Sequence, residues 1–446
     1  MATTTASPRL LGLRLPDSLA VLGERDFRVV WTGQAISMSG TWMQVIAQSL
    51  LVLELWDSAF ALGAVNFANA LPSLIIMLFG GVLAYRADKR KILLATQIGM
   101  AAIALCVGLL VLTDLVQFWI IIVATVLVGV AFGYDMPAYQ AFLPELVPPE
   151  EISQVVSLNS ATFHGSRMVG PAIAGAVIGA FGIATAYLLN AASFLAVIFG
   201  LLIVRRRHQA PAHGMHRGST IDGLRDGMRH ARGRPNVRVL LVLTALACAF
   251  IFPTMAILSP FYVTNVLHGG PGTLGALWAA SGVGSLIGAM ALIWWPRHHR
   301  TLRIRLATLL GPAGLAIMAI TRDPAVAILA SGITSVAFSS QLNMYQSMLQ
   351  ESTPPEFRGR VMSLSGIAFN GTMPIAGIAS SGLAVWIGLP AVMLLSAGLY
   401  LVLAAWVLRF SGGGIANVVR QCRVQYEEVM AAGMAVRPAG APSRPH

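Results

Sequence analysis

The chain has 446 residues, 56% of them hydrophobic and only 11% charged, against roughly 25% charged in a soluble domain, which excludes a water-soluble globular fold. A net charge of +12 would point to nucleic acid in a soluble protein. Here the basic residues fall between apolar runs of about 20 residues, the length that crosses a hydrocarbon core about 30 Å thick, so no nucleic-acid partner is expected.

In chain order, residues 1–28 carry Arg9, Arg14, Arg25 and Arg28 without the apolar core and small-residue cleavage site of a removable signal. Six spans follow, near 29–53, 61–84, 92–112, 118–140, 155–181 and 184–204, forming an N-terminal bundle over 29–204. A basic stretch, 205–237, is too charged to enter a bilayer. Within it, Ser219–Arg238 reads as an amphipathic helix on the membrane surface, with Ser219 or Thr220 as N-cap and Ile221, Leu224, Met228 and Ala231 on one side. Residues 205–218 are either part of that surface element or a solvated linker. A C-terminal bundle over 238–410 holds spans near 238–266, 273–295, 304–320, 324–347, 361–387 and 390–409. The tail, 411–446, is polar and reads as disordered from Val436. Pro72, Pro171, Pro253, Pro260 and Pro374 lie inside spans and mark kinks.

With the N-terminus inside, alternate loops carry Arg86, Lys89, Arg90 and Lys91, then Arg205–Arg207, then Arg297, Arg300, Arg303 and Arg305, then Arg358 and Arg360, whereas the outer loops show only Arg322. That asymmetry predicts both termini in the cytoplasm. Cys106, Cys248 and Cys422 are unpaired in spacing and indicate neither a disulfide nor a metal site. No metal or cofactor is expected.

The two bundles repeat each other. Tyr139-Gln140 through Pro148-Pro149-Glu150 matches Tyr345-Gln346 through Pro354-Pro355-Glu356, an offset of 206 residues. The same offset maps Val130-Ala131-Phe132 onto Val336-Ala337-Phe338, Ser157-Leu158 onto Ser363-Leu364, and Phe163 and Gly165 onto Phe369 and Gly371. One register held across two spans and their loop predicts parallel six-helix repeats, the architecture of carriers with a site at the midplane.

Polar residues inside spans are the candidate site. At about 100° per residue, Gln34, Ser37, Thr41, Gln44 and Gln48 form a stripe on the first span; Asn66, Asn69 and Ser73 mark the second, and Ser331, Thr334, Ser335 and Asn343 the tenth. Such groups either line a central cavity or act as glue between helices. Arg167 falls near the middle of the fifth span, on one side with Ser160 and His164. It either meets substrate or braces the bundle against backbone carbonyls. His164 is a candidate for proton coupling, together with Arg167; its repeat partner is Asn370, so any titration there belongs to the first half. Glu54, Asp57 and Asp135 are expected near helix ends, as interface residues or at a gate, Asp135 being a further coupling candidate.

Four stretches, Phe27 to Gln34, Gly80 to Lys91, Pro144 to Pro148 and Arg167-Met168-Val169-Gly170-Pro171, resemble the major facilitator superfamily, and within it the bacterial drug and siderophore efflux branch that includes enterobactin and macrolide exporters. The resemblance covers about residues 25–410. It implies an all-α major facilitator fold, twelve transmembrane helices in two six-helix bundles related by pseudo-twofold symmetry. The loop after the second span resembles the family's gate motif, with Gly81 permitting close helix approach and Arg86, Asp88 and Arg90 forming a latch; Tyr85 stands where the family has Asp, and Asp88 could substitute. Gly170, Pro171 and Gly175 resemble the antiporter motif, or serve only as small-residue packing.

No Gly-Lys-Ser or Gly-Lys-Thr phosphate loop is present, which excludes an ATP-driven pump on this chain. The resemblance implies a multi-pass protein of the bacterial inner membrane, a monomer that exports a drug or siderophore-like compound in exchange for protons, by alternating access. An importer on the same fold and a non-transporting scaffold or sensor are the alternatives. An enzyme would need a catalytic cluster at one depth that the sequence lacks.

Overall fold

The computed structural model describes residues 9–10, 13–14, 21–86, 88–204, 220–295, 297–410 and 414–435. The expected linker over 205–218, the cap at Ser219 and the tail from Val436 lie outside the described residues. Six helices make the first half: α1 (Arg25–Leu55), α2 (Ala59–Arg86), α3 (Lys89–Leu112), α4 (Phe118–Phe142), α5 (Ile152–Phe181) and α6 (Ile183–Ile203). The surface helix α7 (Thr220–Gly233) follows, then a broken span, α8 (Pro235–Phe250), α9 (Phe252–Ala256), α10 (Ser259–Phe261) and a π turn (Tyr262–Val266). The second half continues with α11 (Pro271–Trp294), α12 (Arg300–Ile320), α13 (Pro324–Ser352), the divided span α14 (Pro355–Asn370) and α15 (Thr372–Ile387), and α16 (Leu389–Phe410). A last helix, α17 (Gly414–Ala435), forms the part of the polar tail that precedes Val436.

Among the described residues, eleven spans are long and apolar enough to cross a membrane by composition. The twelfth is α5, whose 30 residues reach across a bilayer but whose polar face, from Ser153 through Arg167, lowers its mean hydropathy. It packs against α1, α6 and α11, inside the bundle, which is where a polar face in a membrane protein belongs.

The expected kinks divide into two kinds. Pro253, Pro260 and Pro374 sit at real breaks, because each lacks an N–H and crowds the carbonyl four residues earlier. Pro72 and Pro171 lie within continuous helices.

Close approach of backbones organises each half. A methyl group at Gly133 would lie 2.8 Å from Ile76 of α2, and at Gly33 2.7 Å from the Ala196 carbonyl of α6. Between α11 and α13, Ser331 donates to the Leu277 carbonyl at 3.2 Å, Ser281 and Ser335 share a bond of 2.6 Å, and Ser339 donates to the Ser285 carbonyl at 2.7 Å. These serines recur every four residues on both helices, one rung per turn. The polar groups of the tenth span therefore hold α13 to α11, with Thr334 and Asn343 bonded within their own helix.

The basic loops gather at one end of the bundle, the basic end, and the turns at 56–58, 113–117, 267–270 and 321–323 gather at the other, the distal end. Two long contacts join the halves, α5 on α11 and α2 on α15. They run from midspan to the distal end: Met168 against Gly282, Pro171 and Gly175 against Gly275, Asn66 near Gly377 and Gly63 against Ser381. At the distal surface Asn265 donates to both carboxylate oxygens of Asp57, at 3.0 and 3.2 Å. Toward the basic end, α14 turns to α7 and α8 instead of α2, and Val156, Ser160 and Phe163 of α5 are exposed. The halves are closed distally and part toward the basic end.

Within each half the basic end is tied by an ion pair. Lys89 at the start of α3 meets Glu145 at 2.6 Å, and Arg300 at the start of α12 meets Glu351 at 2.6 Å. Glu145 and Glu351 are repeat partners at the 206-residue offset, while Lys89 corresponds to Trp295, so the carboxylate is duplicated and its cation comes from a different position. Helix α17 seals the second half beneath α8, α12 and α13, burying Ile415, Val418 and Cys422, with Asn236 bonded to Gln425 at 2.8 Å. Burial raises the Cys422 thiol above its ordinary value.

Candidate substrate site

Arg167 projects from α5 into the junction between the halves. Its guanidinium carbon lies 5.7 Å from the Trp42 ring of α1 and 5.8 Å from the Phe252 ring of α9. A small cavity around it is completed by Ile251, Met255, Ser281, Ser285, Thr334, Ser335 and Phe338. No carboxylate lines that cavity, and among the described residues Arg167 makes neither a hydrogen bond nor an ion pair, so it does not brace the bundle against carbonyls. Holding Arg at midspan costs about 2.5–3.5 kcal/mol on insertion scales. Two ring contacts return about 0.5–2 kcal/mol each, enough to hold the charge there without giving it an anionic partner.

Aromatic residues continue outward from this point on both halves. Trp42 stands 6.0 Å from Phe163 and 6.0 Å from Trp278, and Phe252 lies 5.7 Å from Phe338 and 6.1 Å from Phe369. Sequence reading missed Trp42, Trp278, Phe252 and Phe338, since aromatics in an apolar span carry no periodic signal. Ser281 and Ser285 could have been found from their spacing against Ser331, Ser335 and Ser339.

His164 lies one turn before Arg167, half-buried and edge-on to Phe163 at 5.6 Å, and its buried Nδ1 has no partner. Asn370 is exposed at the α14 break and bonds back to the Gly366 carbonyl. Asp135 departs from its expected place near a helix end: it lies two turns inside α4, 5% exposed, accepting from Thr96 at 2.6 Å and Gln97 at 3.0 Å of α3. The helix ran on because Tyr139, Phe142 and Leu146 bury the turns after it.

The stripe on the first span divides. Gln44 accepts from Asn190 of α6 at 2.6 Å and Gln48 donates to Thr125 of α4 at 3.1 Å, while Asn69 reaches the Thr125 carbonyl at 3.4 Å. These three join helices within the first half. Thr41 is exposed with its hydroxyl on the Ser37 carbonyl. Gln34 and Asn66 each bury an amide oxygen with no partner, Asn66 on the α2–α15 contact.

The gate motif is helical further than expected. Gly81, Tyr85 and Arg86 belong to the last turns of α2, and their side chains lie outside the described ones. Asp88 caps α3, accepting from the Arg90 backbone N–H at 3.0 Å, and Arg90 donates to the Leu202 carbonyl of α6 at 2.7 Å. The other glycine motif sits on two contacts. A methyl group at Gly170 would lie 2.6 Å from the Ser39 carbonyl of α1, and at Gly175 3.0 Å from the Pro271 carbonyl of α11. Gly170 thus admits α1, and Gly175 forms the distal contact between halves.

Residues 17–419 match the family described as transmembrane secretion effectors. The chain belongs to that family. Among relatives, a multidrug efflux pump of Mycolicibacterium fortuitum, Tap, is 25% identical over 364 residues, covering 80% of this chain and 88% of that one. A staphyloferrin A transporter of Staphylococcus aureus is 33% identical over 165 residues, 36% of this chain and 41% of that one. In structure, the chain resembles a bacterial homologue of the human lysosomal transporter Spinster, crystallised inward-facing and unoccupied, with a TM-score of 0.66 at 12% identity, covering 91% of this chain and 97% of that one. The protein is a membrane transporter of the major facilitator fold and not an enzyme.

Proposed function

We propose that the chain exports a small hydrophobic or anionic compound from the bacterial cytoplasm by alternating access, in exchange for protons. The observation that carries this reading is the placement of Arg167: a cation without an acceptor among the described residues, held by π faces from both halves where they meet. The basic end faces the cytoplasm by its charge, so the state described is closed outside and opens inward, ready to load. His164, one turn from Arg167 and with no partner at its buried Nδ1, is the coupling group on this reading, because an imidazole can both accept and release a proton. Asp135 is the second candidate. Both relatives named above transport or expel small compounds, which agrees with a cargo of this size.

The test is accumulation of a compound panel in a pump-deficient host, with and without a protonophore. Expression should lower accumulation of at least one compound, the protonophore should abolish the effect, and His164→Gln should mimic the protonophore without abolishing binding. Accumulation that rises on expression, or uptake into right-side-out vesicles, would overturn export. Equal accumulation of every compound would overturn transport itself.

A further inference from the structure

We infer that the cargo is an aromatic organic anion, with its ring taken up against Phe252 or Trp42 and its carboxylate or phenolate taken by Arg167; this rests on the proposed transport function and narrows its substrate class. Four observations converge. The guanidinium lies within 6 Å of both ring centroids, so it is held by cation–π contacts to one ring from each half. Among the described residues no acidic one lines the cavity, so a ligand's anion would be the first partner for the charge of Arg167 there. The hydroxyls of Ser281 and Ser335 are bonded to each other and that of Thr334 to its own helix, which leaves the guanidinium and the Ser285 hydroxyl as the polar groups on offer. The remaining walls are aromatic or aliphatic, Phe338, Ile251 and Met255.

The chemistry follows from these placements. A planar anion pairs with the fork of Arg in two parallel hydrogen bonds, and its ring can then replace the guanidinium against Trp42 or Phe252. A lipophilic cation of the same shape meets an uncompensated like charge in a cavity with little water, so the site selects against it. Trp42 belongs to the first half and Phe252 to the second, so an anion paired with Arg167 sits where the two halves meet.

The experiment uses the full chain in proteoliposomes and nanodiscs, with 2-naphthoate as the aromatic anion, 2-naphthylmethylammonium as its cationic counterpart and cyclohexanecarboxylate as the aliphatic anion. Binding is read by equilibrium dialysis and transport by efflux under an imposed proton gradient. Expected is binding in the order naphthoate, cyclohexanecarboxylate, naphthylmethylammonium. Arg167→Ala should weaken naphthoate at least tenfold and relieve the bar against the cation. Arg167→Lys should fall between, because it keeps the charge and loses the fork. Trp42→Leu should weaken naphthoate and leave cyclohexanecarboxylate within twofold. Naphthylmethylammonium bound as well as naphthoate, or naphthoate binding unchanged in Arg167→Ala, overturns the aromatic-anion assignment while a transported cation leaves the exporter reading intact. If naphthoate does not bind but another compound of the panel is exported, the assignment fails alone; if nothing is moved, both fail.

Discussion

Gly275 sits where α5 and α11 hold the halves together, and replacing it with alanine should open the distal end. A methyl group there would lie 2.8 Å from the Pro171 carbonyl oxygen and 3.1 Å from the Gly175 Cα, whereas a carbon packed on a carbonyl oxygen settles at about 3.3–3.6 Å. Both neighbours are backbone, so the strain is relieved only by moving one helix away from the other, by roughly half an ångström. Overpacking of this kind costs about 1–3 kcal/mol. The contact joins the two halves, so the cost falls on the distally closed state and vanishes once they separate. The equilibrium should then shift about 5–150-fold toward the distally open form.

Nitroxide labels at Phe181→Cys and Ile320→Cys, both exposed at the distal ends of opposite halves, would report it by double electron–electron resonance after Cys106, Cys248 and Cys422 are removed. Gly275→Ala should enrich the long distances. Gly272→Ala is the control, since a methyl group there meets nothing within 4 Å. An unchanged distribution in Gly275→Ala, or an equal shift in Gly272→Ala, would show that this contact does not hold the state closed.

The same labels should register Asn265→Ala as a smaller shift, no more than about fivefold, because its bonds to Asp57 are exposed and such charge-assisted pairs contribute about 1 kcal/mol or less. Glu351→Gln should lower the melting temperature in detergent by an amount equivalent to roughly 1–3 kcal/mol, between the values for exposed and buried pairs, and Glu145→Gln should do the same if the two bonds are equivalent. Gln48→Leu should cost about 0.6–2 kcal/mol of stability and leave substrate affinity unchanged in a binding assay, as its amide bonds Thr125. His230 stacks on Phe357 at 4.4 Å, and burial, then Arg234, lower its pKa, with Glu356 opposing. Its neutral form is the one the docked helix prefers, so docking of α7 is complete above the ordinary histidine pKa and weakens as pH falls below it; hydrogen exchange over α7 should show this, and His230→Phe should remove the pH dependence.

The fold was legible because the bilayer imposes length and charge placement on the sequence, and the twelve spans follow from those alone. The site was less so. Gln44, Gln48 and Asn69 look the same along a helix as cavity residues, and only the position of Asn190 and Thr125 on neighbouring helices decides that they are bonded there. Arg167 announced itself by the cost of its charge, but its companions did not, because Trp42 and Phe252 lie far apart in sequence and approach it from different halves. Helix α17 was hidden for a related reason. Its polar composition reads as tail, and what orders it is a narrow row, Ile415, Val418 and Cys422, docked on helices that are themselves apolar.

The repeat explains why the two halves do different work. At the 206-residue offset Gly165 corresponds to Gly371, Met168 to Pro374 and Pro171 to Gly377. Where the second half has Pro374, the helix breaks at Gly371, because the proline ring crowds the Asn370 carbonyl and supplies no N–H to it. Where the first half has Met168, α5 runs unbroken and carries Arg167 and His164 on a stiff support. Its own proline comes one turn later and frees the carbonyl of Arg167, at the level where Gly275 packs. The first half thus holds the charged group at a fixed place. The second half is divided at the same depth, in the α14–α15 span and again in α8–α10, so its helices can bend around that place. A bundle with both features in both halves would set two cations against each other in one cavity; with Met373 at the position repeating Arg167, the charge stands on the unbroken helix of one half and faces the divided helices of the other.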